Sequence, residues 1–447
     1  MVNLPAFLFR YDDRVFHIVN IVIFSVLVID IAIRSYSDVS KLTPTFAFET
    51  GLIILIAIVI VSQLLVLELV KRKNTLIIAK TSYLINLGKI VRISQYFLST
   101  ILTLTALQVA LFSSYPTSIL MVGVNVSYGV AMLILGALSV LFFKWYIRNK
   151  TFAIFIYGIA SISMIVNFLL FAALVDYVLP GAPAERNPES QVNVFVFQTD
   201  AIGGSIQGLA AVFSLVSFLL FWVSTVVLLR HYATKMGKTR FWAIMSSPVI
   251  FFIIQYTVIV PMIGSLAESP DANLAYLNIF GNVLPVATGG ILYGLPFWNV
   301  SRALKNGNMM VKNYLVIAFW GSAFLQMGAS MHTAPYPPFG FLTALFQPVI
   351  CYLVLFGIYS SAISISADSE LRKSIRKYTI EESRLIGDIG SADMILTLEK
   401  KASEIAKKSM EMVIEMSGVQ PSITYDEAKD YLNDLLEEVK HVRTKGS

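Results

Sequence analysis

Residues 341–389 read FLTALFQPVICYLVLFGIYSSAISISADSELRKSIRKYTIEESRLIGDI, and this stretch decides the fold. Its first half is the last long apolar segment of the chain, and its second half is a charged, amphipathic tail. No Gly or Pro occurs between Ile358 and Leu385, so the sequence predicts one helix that leaves the membrane and continues into water. Pro348 and Gly357 permit a bend upstream, so we expect the rigid part to begin near Ile358.

The composition of the whole chain is that of a membrane protein. Of its 447 residues 56% are hydrophobic and 14% are charged, and the mean hydropathy is +0.71. A soluble protein carries about 25% charged residues. The net charge of +6 comes from basic residues in short connections, as expected next to anionic lipid. We therefore expect the lipid bilayer as a partner, and no binding of nucleic acid.

The sequence contains few residues that could form a metal site or a disulfide. The one cysteine, Cys351, lies in the last apolar segment and has no second cysteine with which to form an intrachain disulfide. The four histidines are scattered at positions 17, 231, 332 and 441. The sequence thus predicts no metal site and no cofactor.

Long apolar segments predict an all-α, polytopic membrane bundle. A hydrocarbon core about 30 Å thick requires roughly 20 apolar helical residues. By this measure residues 1–363 form a transmembrane bundle of about ten spans, and residues 364–447 form a cytoplasmic helical tail. The first span carries Asp30 and lacks a convincing cleavage site after it, so we read it as a retained span. The predicted spans are 15–33, 46–70, 96–112, 119–143, 151–174, 206–229, 241–263, 283–298, 315–331 and 341–363.

The orientation of the bundle follows from the distribution of Lys and Arg. Sixteen of these residues lie in the connections 71–95, 144–150, 230–242 and 299–314, whereas the opposite connections contain only Arg34, Lys41 and Arg186. Because cytoplasmic loops carry the excess of positive charge, both termini are predicted to be cytoplasmic. The expected location is the plasma membrane, as a multi-pass protein.

Ionisable residues at membrane depth are the first candidates for a site, because burying a charge there is costly. Asp30 and Glu49 lie near the outer ends of the first two spans, at similar depth on antiparallel helices. Together they would hold a cation or a proton. The alternative is that Asp30 pairs with Arg34, one helical turn away, and that Glu49 lies at the water boundary.

Neutral residues extend the candidate ligand or transport path. Amides near mid-span indicate interhelical hydrogen bonds or a polar route. Pro and Gly in the eighth span predict a kinked or broken helix whose free backbone groups line a cavity, although packing is an alternative. A Pro-rich segment, 331–340, would cap a cavity, recognise a ligand, or form a turn at the aromatic belt. The residues so selected are Asn125, Asn167, Gln255, Gly289, Gly290, Gln326, His332 and Tyr336.

The tail is predicted to contain two further amphipathic helices. The first, starting near Ser391, has an apolar stripe with coiled-coil spacing, and the second begins with the capping box Thr424–Glu427. They would fold together as a hairpin or pair with a second subunit. The interaction residues are Ile395, Leu398, Ile405, Met412, Leu432 and Leu435. The tail has no phosphate-binding loop and is short for a catalytic domain, so we expect no catalytic residues and no enzyme activity.

Three runs carry a resemblance to other proteins. Tyr336–Gly340 (YPPFG), Tyr359–Ser364 (YSSAIS) and Leu371–Lys377 (LRKSIRK) resemble segments of uncharacterised archaeal multi-span membrane proteins. The resemblance covers the last quarter of the chain. It implies an archaeal plasma-membrane protein, and it carries no activity, ligand or site residues.

These patterns favour one function and leave two alternatives. The path from the last span into the tail indicates a receptor-like or signal-coupling protein, whose tail would recruit a cytoplasmic effector. The irregular eighth span and a five-plus-five topology would suit a secondary transporter or channel. A structural subunit of a larger membrane complex fits the same observations without a cavity.

Overall fold

The computed structural model describes residues 12–40, 46–75, 82–112, 117–178, 201–267, 279–304, 309–329 and 340–368, with isolated positions between 371 and 411. This part of the chain is helical almost throughout and contains no strand, so the all-α prediction is confirmed. The helices are α1 (Asp12–Ser40), α2 (Phe46–Thr75), α3 (Ser82–Phe112), α4 (Thr117–Asn149), α5 (Phe152–Val178), α6 (Ala201–Leu229), α7 (Ala233–Met236), α8 (Lys238–Ile254), α9 (Val260–Ala267), α10 (Leu284–Ala303), α11 (Met309–Ala329) and α12 (Phe341–Val354).

Three π-helical segments interrupt or precede these helices. Gln255–Ile259 joins α8 to α9, Ile279–Val283 precedes α10, and Leu355–Tyr359 extends α12. After the last of these the helix continues to Asp368. We call the whole of Phe341–Asp368 the central helix.

Among the described residues, eight helices are long and apolar enough to cross a membrane, which fits the predicted polytopic membrane class. They are α1 to α6, the continuous α8–α9 unit Lys238–Leu266, and the central helix. The predicted eighth and ninth spans are the helices α10 and α11, of 20 and 21 residues, which fall outside this apolar set. Twenty helical residues nevertheless extend about 30 Å, the thickness of the hydrocarbon core.

The third span starts earlier than its sequence suggests. The sequence predicts a cytoplasmic connection over Lys71–Gln95 and a span that begins at Tyr96. In the structure α3 is continuous from Ser82, and its apolar part starts at Asn86. The basic residues Lys89 and Arg92 therefore lie on the first turns of the span helix itself.

The central helix forms the core of the bundle. Every side chain from Phe341 to Ala367 is buried, whereas each of the other seven apolar helices has a large exposed share. A helix that is apolar all round is expected in the middle of a bundle, where other helices surround it. Here α1, α2, α3, α4 and α11 surround it.

Contacts between helices give their relative directions. Along the central helix, contacts with α4 ascend together, from Ser127 with Ala344 to Trp145 with Ser366, so these two helices are parallel. Contacts with α11 run oppositely, because Gly328 faces Gln347 while Gly321 faces Leu353. The order of contacts along the helices shows that five further pairs are antiparallel. These are α4/α5, α5/α6, α6/α8, α8/α10 and α10/α11.

Glycines allow α11 to approach its neighbours closely. A Cβ added at Gly321 would lie 2.9 Å from the Leu353 carbonyl carbon, and one added at Gly357 would meet the backbone of Ala318. On the other side of α11, a Cβ at Gly290 or Gly294 would lie 2.7 Å from a backbone oxygen. Small residues at such crossings let helix backbones pack together inside a bilayer.

The α8–α9 unit lies at the periphery. From Ile250 to Leu266 only Ile263 is buried. Phe252 stacks on Phe218 of α6, and Phe251 lies beside Gly289 of α10. Most of this helix thus presents apolar side chains outward, as a lipid-facing span does.

Candidate functional site

The central helix begins at a buried carboxylate. Gly340 precedes its first turn with φ 85°, a left-handed conformation that glycine adopts without steric cost. The Gly340 amide donates a hydrogen bond of 3.0 Å to Oδ2 of Asp30, which is fully buried on α1. A negative group at a helix N-terminus is favoured by the free amides and by the helix dipole. Asp30 thereby fixes the N-terminal end of the central helix to α1.

Side chains from two helices donate hydrogen bonds to the carbonyl groups about one turn before Pro348. Pro348 has no amide hydrogen, so the carbonyl of Ala344 lacks its usual partner four residues later. Ser127 Oγ on α4 donates to this oxygen at 2.6 Å. Gln95 Nε2 on α3 donates to the next carbonyl, that of Leu345, at 3.4 Å. The proline irregularity is therefore stabilised by polar side chains from both neighbours.

Gln95 also belongs to a buried network that joins α2 to α3. Its Nε2 donates to Oε1 of Gln63 at 2.7 Å, and Gln63 Nε2 donates to Ser99 Oγ at 2.6 Å. Ser99 Oγ in turn donates to the Gln95 carbonyl at 2.7 Å. Gln63 and Gln95 are fully buried and Ser99 is 8% exposed. We call Gln63, Gln95 and Ser99 the amide cluster.

The C-terminal end of the central helix is tied to α4 and to the residue that precedes α5. Ser366 Oγ lies 3.4 Å from Trp145 Nε1, which donates to it, and 3.0 Å from Thr151 Oγ1. One turn further, Leu371 is helical and only 4% exposed, and Arg376 is helical and exposed. Helical positions therefore continue past the end of the bundle toward the tail.

An aromatic group lies between α1, α10 and α11. Trp320 Nε1 donates to His17 Nδ1 at 3.0 Å, and the His17 ring meets Trp298 edge to face with centroids 4.8 Å apart. Because Nδ1 accepts a hydrogen bond, the neutral ring carries its proton on Nε2. This contact joins α1, α10 and α11.

The predicted polar path is not brought together in one place. Asn125 donates to Oδ1 of Asp176 at 2.6 Å, in the N-terminal part of α4 and near the C-terminal end of α5, away from mid-span. Glu49 lies partly buried in the first turn of α2, and no hydrogen bond among the described residues joins it to Asp30. Asn167 is fully buried on α5, where its Nδ2 approaches Met164 Sδ at 3.7 Å. Gln326 lies partly buried on α11.

The predicted break in the eighth span is absent from α10, which is continuous from Leu284 to Ala303. Pro285 lies in its first turn, where no amide hydrogen is needed. Gly290 packs on the α11 backbone, and Gly289 is in ordinary contact with Phe251 at 3.6 Å. The glycines thus serve packing, and the irregular π segments lie before α10 and at Gln255 on the peripheral unit.

Several predicted residues lie outside the described part of the chain. These are His332, Tyr336 and the six tail residues Ile395, Leu398, Ile405, Met412, Leu432 and Leu435. Within the described residues, no group of three or more His, Cys, Asp or Glu side chains could hold a metal ion.

Sequence reasoning selected Asp30 and missed the amide cluster and Ser127. The basic residues before Gln95 predict a cytoplasmic connection there, and Gln63 and Ser127 do not stand out among the polar residues of their spans. The spacing of Gln95 and Ser99, one helical turn apart, was the available signal.

Comparisons with protein-family models, with curated proteins and with solved structures give no match to this chain. The resemblance to archaeal membrane proteins therefore stays a prediction.

Proposed function

We propose that this chain is a receptor-like, signal-coupling membrane protein in which the central helix links the outer side to the cytoplasmic tail. One observation carries the proposal: every side chain from Phe341 to Ala367 is buried, and Leu371 beyond the bundle is still buried. Asp30 holds the outer end and Ser366 is held at the inner end. A single, closely packed helix would thus span the distance between an external stimulus and the tail.

Coupling through this helix has a physical basis in its packing. Close-packed interiors deform little, so a shift of one helix is passed to those it contacts. Gly357 and Gly321 leave no room between the central helix and α11. A stimulus shifts the helix only if its binding free energy differs between two arrangements of the helix. The outer contact between Asp30 and Gly340 is where such a difference would act.

Ten crossings with both termini in the cytoplasm complete the proposal. The antiparallel order of α8, α10, α11 and the central helix is that of a chain that crosses at each helix. Basic residues support the orientation, since Lys144, Arg148 and Lys150 lie where α4 ends and Arg302 lies where α10 ends. If the α10–α11 hairpin does not cross, the central helix keeps the same direction, because two crossings are removed together. The plasma membrane is the proposed location.

The tail is the proposed contact for an effector or a second subunit. Positions 400, 404, 407, 408 and 411 are helical and exposed. On a helix of 3.6 residues per turn they fall on the side opposite the predicted apolar stripe, whose own residues lie outside the described part. An apolar stripe opposite a charged face is suited to a helix–helix contact.

Truncation tests this proposal. The full chain and a variant lacking residues 391–447 would be expressed in membranes, cross-linked and purified, and their bound proteins compared. We expect both to insert equally and only the full chain to retain its cytoplasmic partner. Equal partner capture by the truncated protein would refute the proposal.

A secondary transporter or channel is the second candidate. It is favoured by the π segments Gln255–Ile259 and Ile279–Val283, since such irregular turns are frequent at functional sites. Reconstitution into liposomes with a panel of ions and small solutes tests it. Flux that depends on Gln255 would support transport, and no flux for any solute would count against it.

A structural subunit of a membrane complex is the third candidate. It is favoured by the dense glycine contacts of α11 with α10 and with the central helix. Co-purification of a stoichiometric membrane partner after mild detergent extraction, unaffected by loss of the tail, would distinguish it from signal coupling.

A further inference from the structure

The amide cluster leaves two hydrogen-bonding groups unused in the bilayer interior. Gln95 Oε1 is buried and has no hydrogen-bond partner. Gln63 Nε2 has two hydrogens, of which one reaches Ser99, and no described residue accepts the other. Both side chains are fully buried, so neither group reaches bulk water. Buried polar groups in native proteins are almost always paired, directly or through water.

A reversed amide does not remove the problem. The two ends of a glutamine amide are assigned from their hydrogen bonds. The end of Gln95 assigned as Nε2 lies 2.7 Å from Gln63 Oε1 and 3.4 Å from the Leu345 carbonyl, both of which only accept. Turning the amide around would place Oε1 against two oxygens. Turning both glutamine amides together would keep them paired with each other but would leave Gln95 Nε2, instead of Oε1, without a partner. A buried polar group of Gln95 therefore stays unpaired in either assignment.

The unused groups are one acceptor and one donor on two amides that are already hydrogen-bonded to each other. Two facing amides can close a ring with two N–H···O bonds, and here only one of the two is made, from Gln95 Nε2 to Gln63 Oε1, while Ser99 accepts one hydrogen of Gln63 Nε2. A molecule that fills this gap must accept from Gln63 Nε2 and donate to Gln95 Oε1. We propose that the amide cluster binds one buried water molecule in this bridging position.

The unused groups, one donor and one acceptor, suit a water molecule and do not suit a cation. A sodium or potassium ion would coordinate Gln95 Oε1 but would leave the second hydrogen of Gln63 unpaired and repelled. Water satisfies both groups, and buried waters of globular proteins make about three hydrogen bonds each. No carboxylate belongs to the cluster to balance a positive charge.

The position of this water matters for the central helix, a point that rests on the proposed function. Gln95 holds the Leu345 carbonyl three residues before Pro348 through a long contact of 3.4 Å. A water on the same amide offers that carbonyl an alternative donor when the helix bends at Pro348. The water would then act as an exchangeable partner at the hinge.

A structure of the full chain in lipid nanodiscs, at a resolution that shows ordered water, tests the proposal. Sodium and potassium would be replaced by choline, so that no small cation remains. We expect one ordered density within about 3 Å of both Gln63 Nε2 and Gln95 Oε1. Directly paired amides without density, or density only after sodium is restored, would overturn it. This result does not depend on signalling, so it can fail while the proposed function stands.

Variants provide a second measurement. Gln95→Met and Gln63→Met should each lower the midpoint of thermal unfolding, and the double variant should lose less than the sum, because it leaves no unpaired amide. Gln255→Met is the matched control, since Gln255 is a partly buried amide for which the structure describes no side-chain hydrogen bond. Exchanging sodium for choline should not shift any midpoint. A sodium-dependent shift lost in Gln95→Met would show a cation site instead.

Discussion

Ser127 compensates for a backbone hydrogen bond that proline removes. Its hydroxyl donates at 2.6 Å to the Ala344 carbonyl, whose usual donor would be residue 348. We expect Ser127→Ala to destabilise the protein by about 1–3 kcal/mol, because a buried carbonyl is left unpaired. Thermal unfolding in detergent measures this loss.

Ser139→Ala is the matched control for this effect. Ser139 lies on the same helix and donates at 3.1 Å to the Gly158 carbonyl, which is in a regular part of α5 and retains its helical partner. Its loss should be clearly smaller. Equal destabilisation by the two substitutions would show that the missing amide hydrogen of Pro348 does not increase the contribution of the Ser127 hydrogen bond to stability.

Asp30 is expected to act through both its charge and its acceptor oxygen. Asp30→Asn keeps an oxygen for the Gly340 amide but removes the charge, whose attraction to a helix N-terminus contributes up to about 2 kcal/mol. Asp30→Leu removes both. The unfolding midpoint should therefore fall in the order wild type, Asp30→Asn, Asp30→Leu, while Glu49→Gln leaves it unchanged. A Leu variant as stable as the Asn variant would refute the hydrogen bond's role.

At the level of residues, the sequence identifies a residue type that is rare within a span, but it does not identify important residues of common polar types. Asp30 is a carboxylate inside a span, and such a residue is conspicuous. Gln63 and Ser127 are ordinary polar residues of membrane helices, and their importance comes from Pro348 and from helices distant in sequence. Only the tertiary arrangement shows which carbonyl each one meets.

Among the helices, the contact between the central helix and α11 is the most restrictive. Gly357 lies within a π segment and faces the Ala318 backbone. Gly357→Ala should destabilise the bundle by about 1–3 kcal/mol through overpacking. Gly129→Ala on α4 is the control, because an added Cβ there meets nothing within 4 Å. Guanidinium or detergent unfolding of both variants measures the difference, and equal stabilities would contradict the packing.

The helices themselves followed from apolar length, whereas their ends and irregularities did not. The first residues of α3 are polar and basic, so composition alone placed them in a connection, although they continue the span helix from Ser82. Glycine has two uses, in breaking a helix and in close packing. In α10 the second use prevails because Gly290 and Gly294 meet the backbone of α11.

For the whole molecule, the topology predicts which positions face each side. Cys351 is the single cysteine and is buried, so a Cys351→Ala chain is a suitable background for labelling. An impermeant thiol reagent outside intact cells should label Ser118→Cys at the start of α4. It should label Lys150→Cys and Ala303→Cys only after permeabilisation. Labelling of Ala303→Cys from outside would show that the α10–α11 hairpin does not cross.

At this scale the sequence predicted the class well and the centre of the bundle only indirectly. Length and hydropathy identify spans, but they cannot say which span is surrounded by the others. The last span differs from its neighbours in being buried on every side, and this property depends on which helices pack around it. The six tail residues selected for interaction lie outside the described part, so their role stays a prediction.

The central claim is that the outer end of the central helix is coupled to the tail. Hydrogen–deuterium exchange of the full chain in lipid nanodiscs tests it most directly, with Asp30→Leu as the perturbation at the outer end. Ile254→Ala, on the exposed surface of the peripheral α8–α9 unit, is the control. Coupling predicts that Asp30→Leu changes the exchange of residues 371–411 while Ile254→Ala leaves it unchanged. Faster exchange around Gly340 with no change in residues 371–411 would contradict the account.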